Sequence, residues 1–224
     1  MKPTECADVG KFSTQTDISL QRWWVLAALL TPALALADAD PRFAKLRDQA
    51  EALTSVASFV DRYVGDCESP LLGGAECEKN AEVFRRGATG KKFYMIVIED
   101  SSGALQMGEV NLGQGTFILN LTPFFAGSNS AITHGAPTKT DPSGNPVLPY
   151  LRIPAVLPEG WNPGLMARQV QSRALRMQVV FTPQGVWSLP KKGGGQVRGV
   201  RAKFEAVLVT IGRTGEQVGL WVNR

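Results

Sequence analysis

The chain is short of the residues from which most catalytic and metal sites are built. It has one histidine and three cysteines among 224 residues, and no two cysteines form a CxxC pair. Zinc sites need several such ligands at close spacing, so no metal or cofactor is expected. RRGATGKKF, residues 85–93, lacks the glycine spacing and the hydroxyl after lysine that a phosphate loop requires. KKGGGQ, residues 191–196, precedes no helix whose N-terminus would meet a phosphate. DPSGNP has Asp141 and Asn145 but not the alternating ligands and closing glutamate of a calcium loop, and reads as a pair of turns. No basic run is interleaved with aromatics as a nucleic-acid groove demands, which removes nucleic acid from the expected partners.

A long apolar run is missing as well. The longest uncharged stretch near the N-terminus, Trp23 to Ala37, has fifteen residues and is interrupted by Pro32. A spanning helix needs about twenty. The stretch follows Arg22 and ends in Ala35-Leu36-Ala37 before Asp38, which matches a secretory signal with an A-x-A cleavage site. Residues 1–37 are therefore expected to be a signal peptide with an over-extended N-terminus, and residues 38–224 one globular domain in the periplasm or medium. No membrane span is expected to remain after processing.

Export changes the meaning of the cysteines. Cys6 falls in the targeting region, leaving Cys67 and Cys77, and an even pair in an oxidising compartment predicts a disulfide.

Charge divides the remaining chain. Residues 38–112 hold nine basic and thirteen acidic side chains, whereas residues 113–224 hold twelve basic and four acidic, so the halves carry −4 and +8. Such a split lets the halves attract each other, and it also leaves a positive surface for an anionic partner.

The N-terminal part of the domain, residues 40–87, reads as helical. Asp40 caps and Pro41 opens a helix. Phe43, Leu46, Ala50, Leu53, Ala57, Val60 and Val64 then recur every three or four residues, which predicts one amphipathic helix ending at Gly65. A second helix is expected over about Glu76 to Arg86, stopped by Gly87 and stapled to the first by the Cys67–Cys77 bridge.

Residues 91–224 read as β-rich. KFYMIVIE, residues 92–99, predicts an interior strand. LQMGEVNL and TFILNLT flank Gly113-Gln114-Gly115 and predict a hairpin. Leu175, Met177, Val179 and Phe181 alternate with Arg176 and Gln178, predicting one core face and one wet face. Val200, Ala202, Phe204, Ala206 and Leu208 define one face of the next strand, opposite Arg201, Lys203 and Glu205, and QVGLWV follows after a turn. The expected class is α+β, with an N-terminal helical pair packed on an antiparallel β-sandwich or partly open β-barrel.

Residues 122–163 are the exception. They hold eight of the fourteen prolines together with Phe124, Phe125, Tyr150 and Trp161. Proline breaks ladders, so the segment is expected to be a long ordered loop, with VLPYLRI at most an edge strand. Asn162 and Pro163 then cap a short helix to about Ser172.

No complete catalytic set emerges. His134, in ITHGAP, is the only imidazole base, and Ser128, Ser130 or Ser143 with Asp141 would complete a triad, but no nucleophile elbow is present. Asp141, Glu159, Glu205 and Glu216 are the only acids of the positive half, and no glycosidase pair stands out. Function is therefore expected to be non-enzymatic: binding a peptide, glycan or envelope partner, such as an envelope protein or anionic envelope polymer. The expected surface comprises Phe124, Phe125, His134, Lys139, Tyr150, Arg152, Trp161, Lys191 and Lys192. A periplasmic or secreted hydrolase using His134 is the alternative.

The phrases VDRYVGDCESP, THGAPTKTDPSGNPVLPYL, FTPQGVWSLPKKGGG and RGVRAKFEAVLVTIGRTGE resemble an uncharacterised family of exported myxobacterial proteins, classed as a domain of unknown function. The resemblance covers about residues 57 to 222. It implies export and a shared fold, and carries over no activity, substrate or site residue.

Overall fold

The computed structural model describes residues 40–65, 74–98, 104–122, 124–125, 130–137, 141–142, 147, 149–190 and 196–223. Residues 1–39, with the expected signal peptide and Cys6, lie outside that set, as do Cys67, Ser128, Lys139, Ser143, Asn145, Lys191 and Lys192, and the side chains of Phe124, Phe125 and Ser130.

Helix α1, Pro41–Asp48, starts as expected, with the Asp40 carboxylate accepting from the Arg42 amide at 2.9 Å. It does not continue to Gly65. The chain leaves the helix at Gln49, and Glu51–Ala52 forms strand β1 beside the first residues of β2, Phe93–Ile98. The Glu51 amide donates to the Lys92 carbonyl at 2.9 Å and the Leu53 amide to that of Tyr94 at 2.8 Å. A new helix, α2, Val56–Val64, is capped by Ser55 and closed by Gly65 at φ +74°. The predicted single helix is thus two. The reason is packing: Phe43 of α1 is buried with Val180, Ala206 and Leu208, whereas Phe59, Val60, Tyr63 and Val64 of α2 belong to the main core. The two helices serve opposite faces of the sheet, and the chain crosses from one to the other at its edge. Helix propensity through Gln49–Leu53 yields to that crossing.

Helix α3, Gly74–Ala88, packs against α2. It runs through Gly87, which was the expected stop, and the chain turns at Gly90 instead, where φ is +74°. Arg85 ties the two helices, donating to the Tyr63 carbonyl at 3.0 Å.

The remaining strands are β3, Leu105–Asn111, β4, Thr116–Leu121, β5, Phe124–Phe125, β6, Ser130–His134, β7, Leu151–Val156, β8, Leu175–Pro190, β9, Gln196–Ile211, and β10, Gln217–Val222. Between β7 and β8 lies α4, Pro163–Gln171, whose Asn162 cap accepts from the Leu165 amide at 2.8 Å, as its sequence indicated. The sheet runs β1-β2-β8-β9-β10-β7-β4-β3, with β6 added to β9 and β5 to β6. The β3–β4 hairpin is as predicted. The sheet itself differs from expectation in two ways. It is mixed, because β1 pairs β2 and β6 pairs β9 in parallel, and its path ends at β3 without closing into a barrel.

A bulge decides which residues are inside. Val180 pairs with Ala206 but Phe181 with Phe204, so β9 carries one extra residue, Glu205. A bulge reverses the alternation on its own strand. Val200, Ala202 and Phe204 therefore face the main core, and Ala206 and Leu208 face α1. The single apolar face read along β9 is in fact two half-faces. The expected wet face of β8 is likewise covered where α1 lies: Val180 is fully buried, and Gln178 is buried with its amide oxygen accepting from the Tyr94 hydroxyl at 2.7 Å.

Strand β7 is an interior strand, not an edge one, lying between β4 and β10. Pro154 is tolerated because of the direction its nitrogen faces. The Leu157 amide donates toward β4, to the Gly115 carbonyl at 2.8 Å, so residues of opposite parity, Pro154 among them, turn their nitrogens toward β10. There the pairing narrows to Gly219 opposite Ala155. The segment 122–163 is accordingly built around strands β5, β6 and β7 rather than being one continuous loop.

Candidate binding groove and the histidine at the sheet branch

Alternation along LRIPAV gives β7 a buried face, Leu151, Ile153 and Ala155, and an exposed one, Arg152, Pro154 and Val156. In register beside the exposed set on β4 lie Asn120, Ile118 and Thr116. Helix α1 covers the neighbouring part of the same sheet face, through Phe43, and stops short of these strands. The result is a groove of about 730 Å³ with Ile118, Pro154 and Val156 along it and the start of α1 as one wall. This volume is within the usual range for ligand sites.

Two ion pairs border the groove. Arg42 holds Asp40 at 2.9 Å, and Arg152 of β7 reaches Glu109 of β3 at 3.0 Å. Side-chain and backbone hydrogen bonds from Arg42 lower the Asp40 pKa to about 2, so that carboxylate stays charged under ordinary conditions. Exposed pairs of this kind contribute little to stability. They offer both signs of charge to an incoming chain. Tyr150, 61% exposed, precedes β7 with the same parity as Arg152, and Val156 is 59% exposed. Large apolar side chains at a groove rim mark an interaction surface more often than isolated ones do.

A second depression, of about 820 Å³, lies between β1, α2 and α3, with Phe59, Phe84 and Phe93 among its lining. Arg62 stacks over the Phe84 ring at 4.2 Å there. Gly65 and Cys77 are also among its lining.

Among the described residues, the predicted surface residues do not form one cluster. Arg152 lines the groove, Tyr150 is exposed just before β7 but is not part of that lining, and Trp161 packs on the main core. His134 is elsewhere. It is the last residue of β6 rather than part of a loop, and its ring lies 5.3 Å from Phe204 and 5.8 Å from Trp221. The Phe204 amide donates to His134 Nδ1 at 3.3 Å, and burial lowers the imidazole pKa. An imidazole so placed has only Nε2 left for proton transfer. Sequence reasoning missed Arg42, Glu109 and Val156. The period-two alternation of LRIPAV carried the signal for Val156, since it places that residue on the Arg152 face.

Among the described residues, no group of three or more His, Cys, Asp or Glu is placed to hold a metal ion, and no helix is long and apolar enough to cross a membrane.

The fold and groove define an α+β domain on one open mixed sheet, with part of one sheet face beside a short helix left uncovered by the described residues. The chain belongs to the Family of unknown function (DUF6066), whose model matches residues 20–224. That match begins well before residue 57 and takes in the whole of the described structure. No curated protein and no solved structure is significantly similar to the chain.

Proposed function

We propose that the protein is an exported, non-enzymatic binding domain that accepts an extended peptide or glycan of the cell envelope along the uncovered sheet face beside α1. The groove between α1 and β7 carries this reading. Its floor of Ile118, Pro154 and Val156 is apolar, and a charge pair stands at its border on α1 and another on β3 and β7. An extended chain bearing both polar and apolar groups suits such a surface, because apolar contacts supply affinity and the paired charges supply orientation. The positive second half of the sequence favours an anionic partner.

Titration of isotope-labelled protein with soluble peptidoglycan fragments and with acidic peptides, followed by NMR, tests the proposal. Shifts are expected at the amides of Arg42, Ile118, Arg152, Val156 and Gly219, and Val156→Asp is expected to abolish them. Turnover of ester or peptide substrates that disappears in His134→Ala, with no shifts along the groove, would establish the hydrolase in its place.

A further inference from the structure

Strand β9 has two partners on one edge: β6 pairs with residues 198–202 and β10 with residues 206–210. Between them the edge has to be satisfied by something other than a ladder. The Ala202 carbonyl faces β6, accepting from the Gly135 amide at 3.2 Å. Two residues further on, the Phe204 amide faces the same way, at a level where β6 has already turned off through Gly135 at φ +85°. The His134 side chain reaches back and presents Nδ1 to that amide at 3.3 Å. The imidazole thus stands in for a backbone carbonyl at the point where β6 leaves and β10 begins.

We propose that His134 is an acid-sensitive latch holding the end of β6 on β9. As a neutral acceptor it closes the branch. Once Nδ1 carries a proton it becomes a donor facing another donor, and the contact between ring and amide turns repulsive. The ring also lies against Phe204 and Trp221, an apolar setting that penalises its charge. Among the described residues, no neighbouring charge is spare to offset this. On β9, Arg201 donates to the Gln184 carbonyl, while Lys203 and Glu205 pair at 3.2 Å, with Glu205 also accepting from Thr182. Strands β6 and β10 carry no other ionisable side chain. On α2, which touches β6, Arg62 is engaged with Phe84, Asp61 also has a partner, and Tyr63 is neutral, its pKa raised by burial. Desolvation is the one cause that moves the His134 pKa, downward. The latch therefore opens only as pH falls below the ordinary imidazole range, and opening frees the end of β6.

Amide hydrogen exchange at pH 7.5 and pH 5, corrected for intrinsic rates, tests this on the purified protein. Wild type is expected to lose protection at Gly135 and Phe204 by about tenfold or more at the lower pH. His134→Gln, whose amide oxygen accepts without titrating, is expected to show no such loss. An equal loss in both proteins overturns the latch. If the variant fails to fold, the wild-type NMR titration decides: the Phe204 amide shift must follow the His134 imidazole titration, and a Phe204 signal indifferent to it rejects the proposal.

Discussion

Trp187 of β8 donates its indole N–H to Thr133 Oγ1 of β6 at 2.9 Å, across the intervening strand β9. The Thr133 hydroxyl bonds in turn to the Gly135 carbonyl, and both side chains are buried. The bond is compatible with the sheet only because Gly199 sits between its two ends. A Cβ there would stand 2.4 Å from both the Ala131 carbonyl oxygen and the Trp187 ring.

Gly199→Ala is therefore expected to destabilise the protein by about 1 to 3 kcal/mol, the range for overpacked interiors. Chemical denaturation measures it. Trp187→Phe removes the indole donor but keeps the ring, and is expected to cost about 0.5 to 1.5 kcal/mol through the lost buried hydrogen bond, the Thr133 hydroxyl keeping its bond to the Gly135 carbonyl. A stabilised Gly199→Ala protein would contradict the packing described.

Phe43 is the main anchor of α1, fully buried against Val180, Ala206 and Leu208. Phe43→Ala is expected to cost about 3 to 5 kcal/mol, with proteolysis starting near residues 41–52. Ala57, apolar in the sequence pattern but exposed in the structure, is expected to tolerate serine within about 0.5 kcal/mol. Equal sensitivity at the two sites would restore the continuous helix.

His134 sets a direction for stability against pH. Its unfolded pKa is near the ordinary 6.5, and burial lowers the folded value. Between the two, the unfolded chain binds the extra proton, so stability is complete above about pH 6.5, declines as pH falls below it and levels off beneath the folded pKa. The difference in unfolding free energy between wild type and His134→Gln, measured at pH 8 and pH 5.5, is expected to shift against wild type at the lower pH. A constant difference would show that the imidazole is not desolvated.

Cys67 lies outside the described residues, so its bridge to Cys77 rests on sequence. Closing a loop of roughly eleven residues is expected to stabilise the fold by about 3 kcal/mol. Native, unreduced protein is expected to bind no thiol reagent at either position, and serine at either one to lower the midpoint of unfolding.

Export is checked by mass. Protein recovered from an expressing bacterium is expected to begin at Asp38, following cleavage after Ala35-Leu36-Ala37. An intact N-terminus in the membrane fraction would show an anchor instead.

The division between what the chain spells out and what it does not follows the range of the interactions. The Asp40 and Asn162 caps, the exit of α2 at Gly65 and the hairpin around Gly113-Gln114-Gly115 depend on residues within a few positions of each other, and all were legible in the sequence. The tertiary structure alone split residues 41–64 between two faces of the sheet, because β1 pairs with a strand some forty residues later. It also divided the apolar face of β9 at Glu205, since a bulge is a property of two strands in register and not of either one. The proline density of residues 122–163 argued for an edge strand at most, yet β7 is interior, because Pro154 is harmless where its nitrogen faces a narrow pairing. His134 presented itself as a loop base. It became a stand-in for a carbonyl only when β6 and β10 were set on the same edge of β9, and nothing local in ITHGAP encodes that placement.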